Sequence, residues 1–274
     1  MKPFSAVNRR NKIWEIDHLT GGNNSLDVNF ISEYLNNNAI NLDLTENIYR
    51  IFDWKYFITD LRGNTLTLVR PHKWQDPFEN FLLNAVGRYK GMNVDLTGIR
   101  NKYYSQCWSL NSECDGLWRN YKTNKKGCAV KAKTTTKILF ENIYDIHNPF
   151  HSLNYFIGKV QYVNDNSIVN VFKPKYNMSN FQSGLELSQN LLFKRKPFRY
   201  EQEVRLIVRD DYCQADIIQL SINPNIIFEE LILDPWIKPS TFKRKKRELE
   251  QAGFTGKITR SSLYDKPFFI FKIK

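Results

Sequence analysis

The segment 200–208, Tyr-Glu-Gln-Glu-Val-Arg-Leu-Ile-Val, constrains this chain more than any other. Read as a half-buried strand, its alternate side chains share a face. Val204, Leu206 and Val208 then line one side, and Glu201, Glu203 and Arg205 line the other. The apolar side requires a core beneath it. The other side sets two carboxylates together, in a place suited to border a cleft. Paired carboxylates bind ribose hydroxyls, steady a positive transition state or divide into acid and base. They also serve on a solvated strand face, with Glu203 and Arg205 as an ion pair. The spacing alone leaves both readings open.

The elements around this strand are short and mixed. Ser25 is placed to cap a helix over 26–38. Apolar residues at helical spacing predict a second helix over 48–61, stopped by Arg62-Gly63-Asn64. A strand at 65–70 runs into the proline-rich loop 71–80. A helix is expected over 81–89, a loop to 101, a strand over 103–110, a helix over 113–121 and a strand over 128–133. Residues 134–150 read as helix then turn, 156–163 as strand, and 185–193 as helix. Strands are expected at 217–220, 231–233 and 268–273. A helix capped by Ser240 or Thr241 runs to Ala252, with Gly253 at its end. This order lacks a regular βα alternation, which favours an α+β fold over a doubly wound sheet. Residues 1–47 read as an N-terminal arm and helix, and 48–274 as the main domain.

The bulk composition narrows the classes. Of the 274 residues, 42% are hydrophobic, enough for a sizeable core. No apolar run approaches a membrane span, and the first residues lack the apolar stretch of a signal peptide. The expectation is a soluble cytoplasmic protein without a membrane partner. The four cysteines form no Cys-x-x-Cys pair, and Asn148-Pro149 breaks any helix that would align His147 with His151. No metal site is expected. The formal net charge of +12 favours polyanionic partners, nucleic acid foremost.

Several other segments bear chemistry. Arg70, at a strand end, suits a bidentate phosphate clamp or a loop-holding pair with Asp76 or Glu79. Trp118 and Tyr121 share a helix face, suited to stacking on a flat ring or to core packing. Ser109 suits a hydrogen bond to a ribose or amide, or a turn cap. Two basic runs stand out: Lys194, Arg195 and Lys196, and Lys243, Arg244, Lys245, Lys246 and Arg247. The second lies on a helix whose far side is Phe242, Leu249 and Ala252, so its charges are expected to be exposed. Either run suits an electrostatic track for RNA or DNA.

The pieces "IYRIF…LTLVRPHKWQDPFEN", "CWSLN…LWRNYKTNKKGCAVKAK", "KPFRYEQEVRLIV" and "EELILDPW" occur in an order that resembles a widespread bacterial domain of unknown function. The resemblance covers about 48–273. That arrangement in turn resembles the ADP-ribosyltransferase fold, a split β-sheet core with peripheral helices that holds NAD in its cleft. The resemblance implies NAD as substrate. It places Arg70, with His72 as an alternative, on the first motif strand. It places Ser109 on the second, with Trp118 and Tyr121 against nicotinamide. Glu203 falls on the catalytic position and Glu201 beside it. The middle motif departs from the family, reading Cys-Trp-Ser-Leu where a Ser-Thr-Ser triplet is usual. The resemblance further implies transfer of ADP-ribose to an acceptor, a toxin role in antiphage defence and a neutralising antitoxin protein. The net charge makes RNA the first acceptor to test. The rival readings are a non-catalytic nucleic-acid-binding module and a metal-dependent nuclease using Asp76, Glu79, Glu201 and Glu203.

Overall fold

The computed structural model describes residues 36, 38–74, 76, 78–79, 87–89, 91–94, 101–122, 127–143, 155–165, 188–211, 213–268 and 270. The arm 1–24 and nearly all of the helix expected at 26–38 lie outside them.

The first described strands are β1 (Ala39–Ile40) and β2 (Asn47–Asp53). Helix α1 (Trp54–Gly63) follows without a loop, because the Asp53 carboxylate caps it by accepting the Lys55 N–H at 3.0 Å. Asn64 closes it in the left-handed conformation, φ 51°. The helix expected over 48–61 is therefore corrected in its first half. Ile48, Ile51 and Phe52 are buried in a strand that pairs along its full length with another, and tertiary pairing overrides the helical spacing.

β3 (Thr65–Val69) and a 3₁₀ turn (Pro71–Lys73) come next, then a hairpin of β4 (Gly87–Tyr89) and β5 (Met92–Val94). The hairpin replaces the last residues of the helix expected at 81–89; positions 81–86 lie outside the described residues. β6 (Tyr103–Ser109), α2 (Asp115–Tyr121), β7 (Ala129–Thr135) and α3 (Thr136–Ile143) match their expected types. So do β8 (Tyr155–Lys159) and β9 (Gln161–Val163), which divide the strand expected at 156–163. β10 (Phe193–Arg195) and a 3₁₀ helix (Lys196–Glu201) precede β11 (Glu203–Arg209). Then come β12 (Ile217–Ser221), α4 (Pro224–Ile227), β13 (Glu230–Leu233), α5 (Pro239–Gln251) and β14 (Lys257–Arg260). Gly253 ends α5 with φ 94°, a conformation that glycine adopts without strain. At 268 and 270 the chain is exposed and forms no strand, contrary to expectation.

The strands form one α+β core that is split. One side runs β1-β8-β11-β6, and the other runs β2-β7-β13-β14. The halves join through a single pair, Tyr49 opposite Ser109. The same edge of β6 meets β3 only at Ser105 opposite Val69. Between those two points β6 has no strand neighbour on that side among the described residues. Arg50 fills part of the gap by donating a hydrogen bond from Nη1 to the Cys107 carbonyl.

β11 lies between β6 and β8, antiparallel to both. Val204, Leu206 and Val208 enter the largest core cluster, as their alternation requires. The opposite face is also buried, where Ile207 packs with Tyr103 and Phe156. The strand is thus covered on both faces rather than half-buried.

Candidate active site

The register sets the site. Glu203 pairs with Ser109 across the β6–β11 ladder, and Arg205 with Cys107. Gln202 is left-handed, φ 43°, so the strand proper starts only at Glu203 while Glu201 ends the 3₁₀ helix. The kink is pinned from both sides. The Gln202 carbonyl accepts from Leu110 N–H at 2.9 Å, and the Glu201 carbonyl accepts from the Ser109 hydroxyl. The Glu203 N–H donates to the Tyr162 oxygen at 2.8 Å.

Both carboxylates reach one ammonium. Lys194 Nζ lies 2.6 Å from Glu201, 3.2 Å from Glu203 and 2.8 Å from Glu79. Arg205, with no solvent exposure, donates Nε and Nη2 to the two oxygens of Glu203, each at 3.0 Å, and Nη2 to Glu79 at 2.9 Å. Its guanidinium stacks 4.1 Å from the centre of the Trp74 ring. Three carboxylates thus share two cations, leaving one negative charge uncompensated within the cluster.

The two glutamates titrate in opposite directions. Burial raises the Glu203 carboxyl, but Arg205 and Lys194 more than offset this and hold it at about 2. Burial raises Glu201, and Lys194 only partly opposes it against the neighbouring carboxylates. Lys194 is held above its ordinary range: burial lowers it, and Glu203, Glu79 and Glu201 together outweigh burial. One carboxylate is fixed as an anion, and its neighbour takes a proton more readily. That division suits an electrostatic stabiliser beside a proton acceptor.

A cleft of about 580 Å³ opens beside this cluster, within the roughly 300–1,000 Å³ typical of small-molecule sites. Glu201 and Glu203 line it, with Arg50, Tyr121, Trp74 and Phe198 among its other walls. A narrow slot adjoins it, lined by Tyr49, Ser109, Trp118 and Lys131. Arg50, Cys107, Tyr121, Glu201 and Glu203 border both spaces. Trp118 is fully buried, its indole N–H bound to Glu113 and its ring 5.2 Å from Lys131 Nζ. It forms the slot floor while also packing with Ile51, Leu117 and Ala129. These contacts are those of a core residue.

Ser109, Trp118, Tyr121, Glu201 and Glu203 are therefore brought together. Arg70 is not, which corrects the expectation, drawn from the resemblance, that it lies in the cleft that holds NAD. Arg70 Nε and Nη2 donate to Tyr104 Oη at 3.2 and 3.1 Å, and Nη2 donates to the Cys213 carbonyl at 2.9 Å. The Tyr104 side chain lies on the face of β6 opposite to Ser105, Cys107 and Ser109. Arg70 pairs with Asp216 rather than Asp76 or Glu79, and His72 sits 3.4 Å from the same Asp216. The Ser109 hydroxyl spends its proton on Glu201 O and accepts the Asn111 N–H at 2.9 Å, so it is a structural tie within the slot.

The residue that sequence reading missed is Arg50. Its buried Nε finds no hydrogen-bond partner among the described residues, and no carboxylate pairs with its guanidinium there. The signal was present: an arginine inside the apolar strand Ile48-Tyr49-Arg50-Ile51-Phe52 needs a reason to be there. The helical reading of 48–61 concealed it.

The basic runs are also revised. Lys194 is buried in the carboxylate cluster, and Arg195 pairs with Asp76 at 2.9 Å while stacking on Phe78. On α5, Lys243, Arg244 and Arg247 are exposed and Lys246 partly so, but Lys245 is buried. Lys245 Nζ sits 3.9 Å over the Trp54 ring and 2.8 Å from Glu248, which corrects its expected exposure. The nuclease carboxylates do not surround a vacant centre: Glu79, Glu201 and Glu203 meet at Lys194, and Asp76 is held by Arg195. Among the described residues, no group of three His, Cys, Asp or Glu side chains is arranged to hold a metal ion. No helix there is long and apolar enough to cross a membrane.

No protein-family model and no curated protein matches the chain. Among solved structures, it is similar to Thermus sp. 2.9 DarT in complex with NAD⁺, at 10% identity and a TM-score of 0.38. The match covers 80% of this chain and 96% of that one. The same protein in complex with ADP-ribosylated ssDNA matches at 10% identity and a TM-score of 0.37, over 81% and 96% of the two chains. Its complex with carba-NAD⁺ matches at 7% identity and 0.37, over 80% and 96%. Similarity of this extent does not by itself establish an activity.

Proposed function

We propose that this chain is an NAD-dependent ADP-ribosyltransferase that modifies a nucleic acid, RNA being the acceptor to test first. The observation that carries the reading is the carboxylate pair Glu201 and Glu203 on the wall of a cleft that Arg50 and Tyr121 also line. Arg50 supplies an anion-binding guanidinium for the diphosphate, and the slot with Trp118 and Tyr121 supplies flat surfaces for nicotinamide. As the bond between ribose C1′ and nicotinamide nitrogen breaks, the bonding pair leaves with nicotinamide. Positive charge develops on the ribose, and Glu203, fixed as an anion, stabilises it. An acceptor oxygen or nitrogen bonds to C1′ and gives its proton to Glu201.

The net charge of +12 and the exposed side of α5, with Lys243, Arg244, Lys246 and Arg247, support a polyanionic acceptor. By the family resemblance the activity belongs to a cytoplasmic toxin of antiphage defence, opposed by an antitoxin protein. One observation favours the rival binding module: Arg205 and Lys194 already engage Glu203, which weakens its field on a ligand. Incubation with NAD, with and without RNA, and measurement of released nicotinamide decide between them. Release with label transferred to RNA supports the transferase, and transfer to protein alone moves the acceptor. No release under any condition leaves the binding module.

A further inference from the structure

Three large aromatic side chains stand exposed around the seven-residue helix α2, whose Asn120 and Tyr121 line the cleft. Trp236 is 39% exposed, Tyr264 45% and Tyr200 41%. Leaving such rings in water forgoes burial energy, and clustering them marks a contact surface. None of the three is loosely held. Trp236 sits in the Asp-Pro-Trp turn, where its N–H donates to Asp234 Oδ1 at 2.8 Å. Its ring lies 5.3 Å from that of Tyr264, tilted by 34°. The Tyr264 hydroxyl accepts from Arg119 Nη2 at 3.2 Å and donates to Asp115. On the other flank of α2, the Tyr200 hydroxyl accepts from Asn120 Nδ2 at 2.7 Å. The Tyr200 ring packs against Gly116, where an added Cβ would lie 3.4 Å from Cε2.

Cations are interleaved with the rings. The Arg119 guanidinium lies 5.2 Å from the Trp236 ring centre, and Lys122 Nζ lies 5.3 Å from it. Asp115 and Asp234 hold these cations in place. The Arg119–Asp115 pair is solvent-exposed, so an incoming phosphate exchanges for it at little cost. Asn120, next to Arg119, lines the cleft beside Glu201 and Glu203.

We infer that Trp236, Tyr264 and Tyr200 form a stacking track for a single-stranded polynucleotide, leading over α2 into the cleft. Bases of any sequence present a π-face to such rings, and Arg119 meets the backbone phosphates while Lys122 stays paired with the buried Asp234 beside the Trp236 ring. A duplex keeps its base faces inside its own stack and has none to offer. The track deepens the proposed function by giving the acceptor strand a seat, and it rests on that reading for its direction into the cleft.

The test is direct binding to the full chain without NAD. Fluorescence anisotropy is measured with end-labelled single-stranded 12-mers of RNA and of DNA, and with a blunt duplex. Trp236→Ala and Tyr264→Ala, which lie on different loops, are each expected to weaken single-strand binding roughly tenfold. They leave the slope of affinity against salt unchanged, because a stacked base releases no counterions. The RNA and DNA arms show whether the sugar matters. Equal affinity of both variants and wild type overturns the track, as does equal affinity for duplex and single strand. A track that binds in a protein that releases no nicotinamide leaves the inference standing and removes the transferase. Nicotinamide release with single-strand binding indifferent to both substitutions does the reverse.

Discussion

Glu203→Gln tests the buried cluster and the chemistry together. Glu203 is 2% exposed and accepts three hydrogen bonds from two cations. Holding its carboxyl at about 2 rather than 4.5 is worth about 3 kcal/mol of folding stability at neutral pH. That agrees with the roughly 3–5 kcal/mol lost when one partner of a buried ion pair is removed. The folded-state value lies below the unfolded one. The contribution is therefore fully present above about pH 4.5 and is lost as the pH falls toward 2. Urea unfolding followed by tryptophan fluorescence is expected to show the glutamine variant about 3 kcal/mol less stable at pH 7, with the gap narrowing at pH 3.5. A gap below about 1 kcal/mol at pH 7, or one constant between those pH values, would refute the electrostatic account. At a temperature where both proteins are folded, nicotinamide release should fall about a hundredfold or more with a smaller change in NAD affinity. Retained turnover would remove Glu203 from the reaction.

Arg50→Gln should raise the dissociation constant for NAD roughly tenfold or more with little change in melting temperature, read by titration calorimetry; unchanged affinity returns the anion site to another residue. Arg70→Gln should do the opposite. It removes the guanidinium donors to Tyr104 Oη and the Cys213 carbonyl, lowering stability by about 1–3 kcal/mol in urea while leaving NAD affinity intact. On α5, Lys243→Glu with Arg247→Glu should weaken RNA binding and flatten its salt dependence by about 0.7 per lost phosphate contact, at an unchanged melting temperature. Lys245→Glu should instead lower the melting temperature, because it sets a second carboxylate beside Glu248 and removes the cation over Trp54.

The sequence by itself determined the alternation of β11, the apolar face it buries and the mixed order of elements that makes the fold α+β. These are local matters, carried by side-chain period and by turn chemistry at Asn64 and Gly253. It also singled out Glu201 and Glu203 as a pair. It misread 48–52, because helical spacing and strand burial look alike over one short apolar run, and only pairing with β7 decided between them. The same error hid Arg50. Lys194 and Lys245 read as solvated charge from their neighbours in the chain, yet each is buried against partners that packing supplies: Glu79 for Lys194, 115 positions away, and Trp54 for Lys245. Whether an arginine or lysine faces water or a carboxylate depends on which distant strands meet. Only the tertiary structure, by joining the two halves of the sheet at Tyr49 and Ser109, placed Arg50 rather than Arg70 beside the carboxylates.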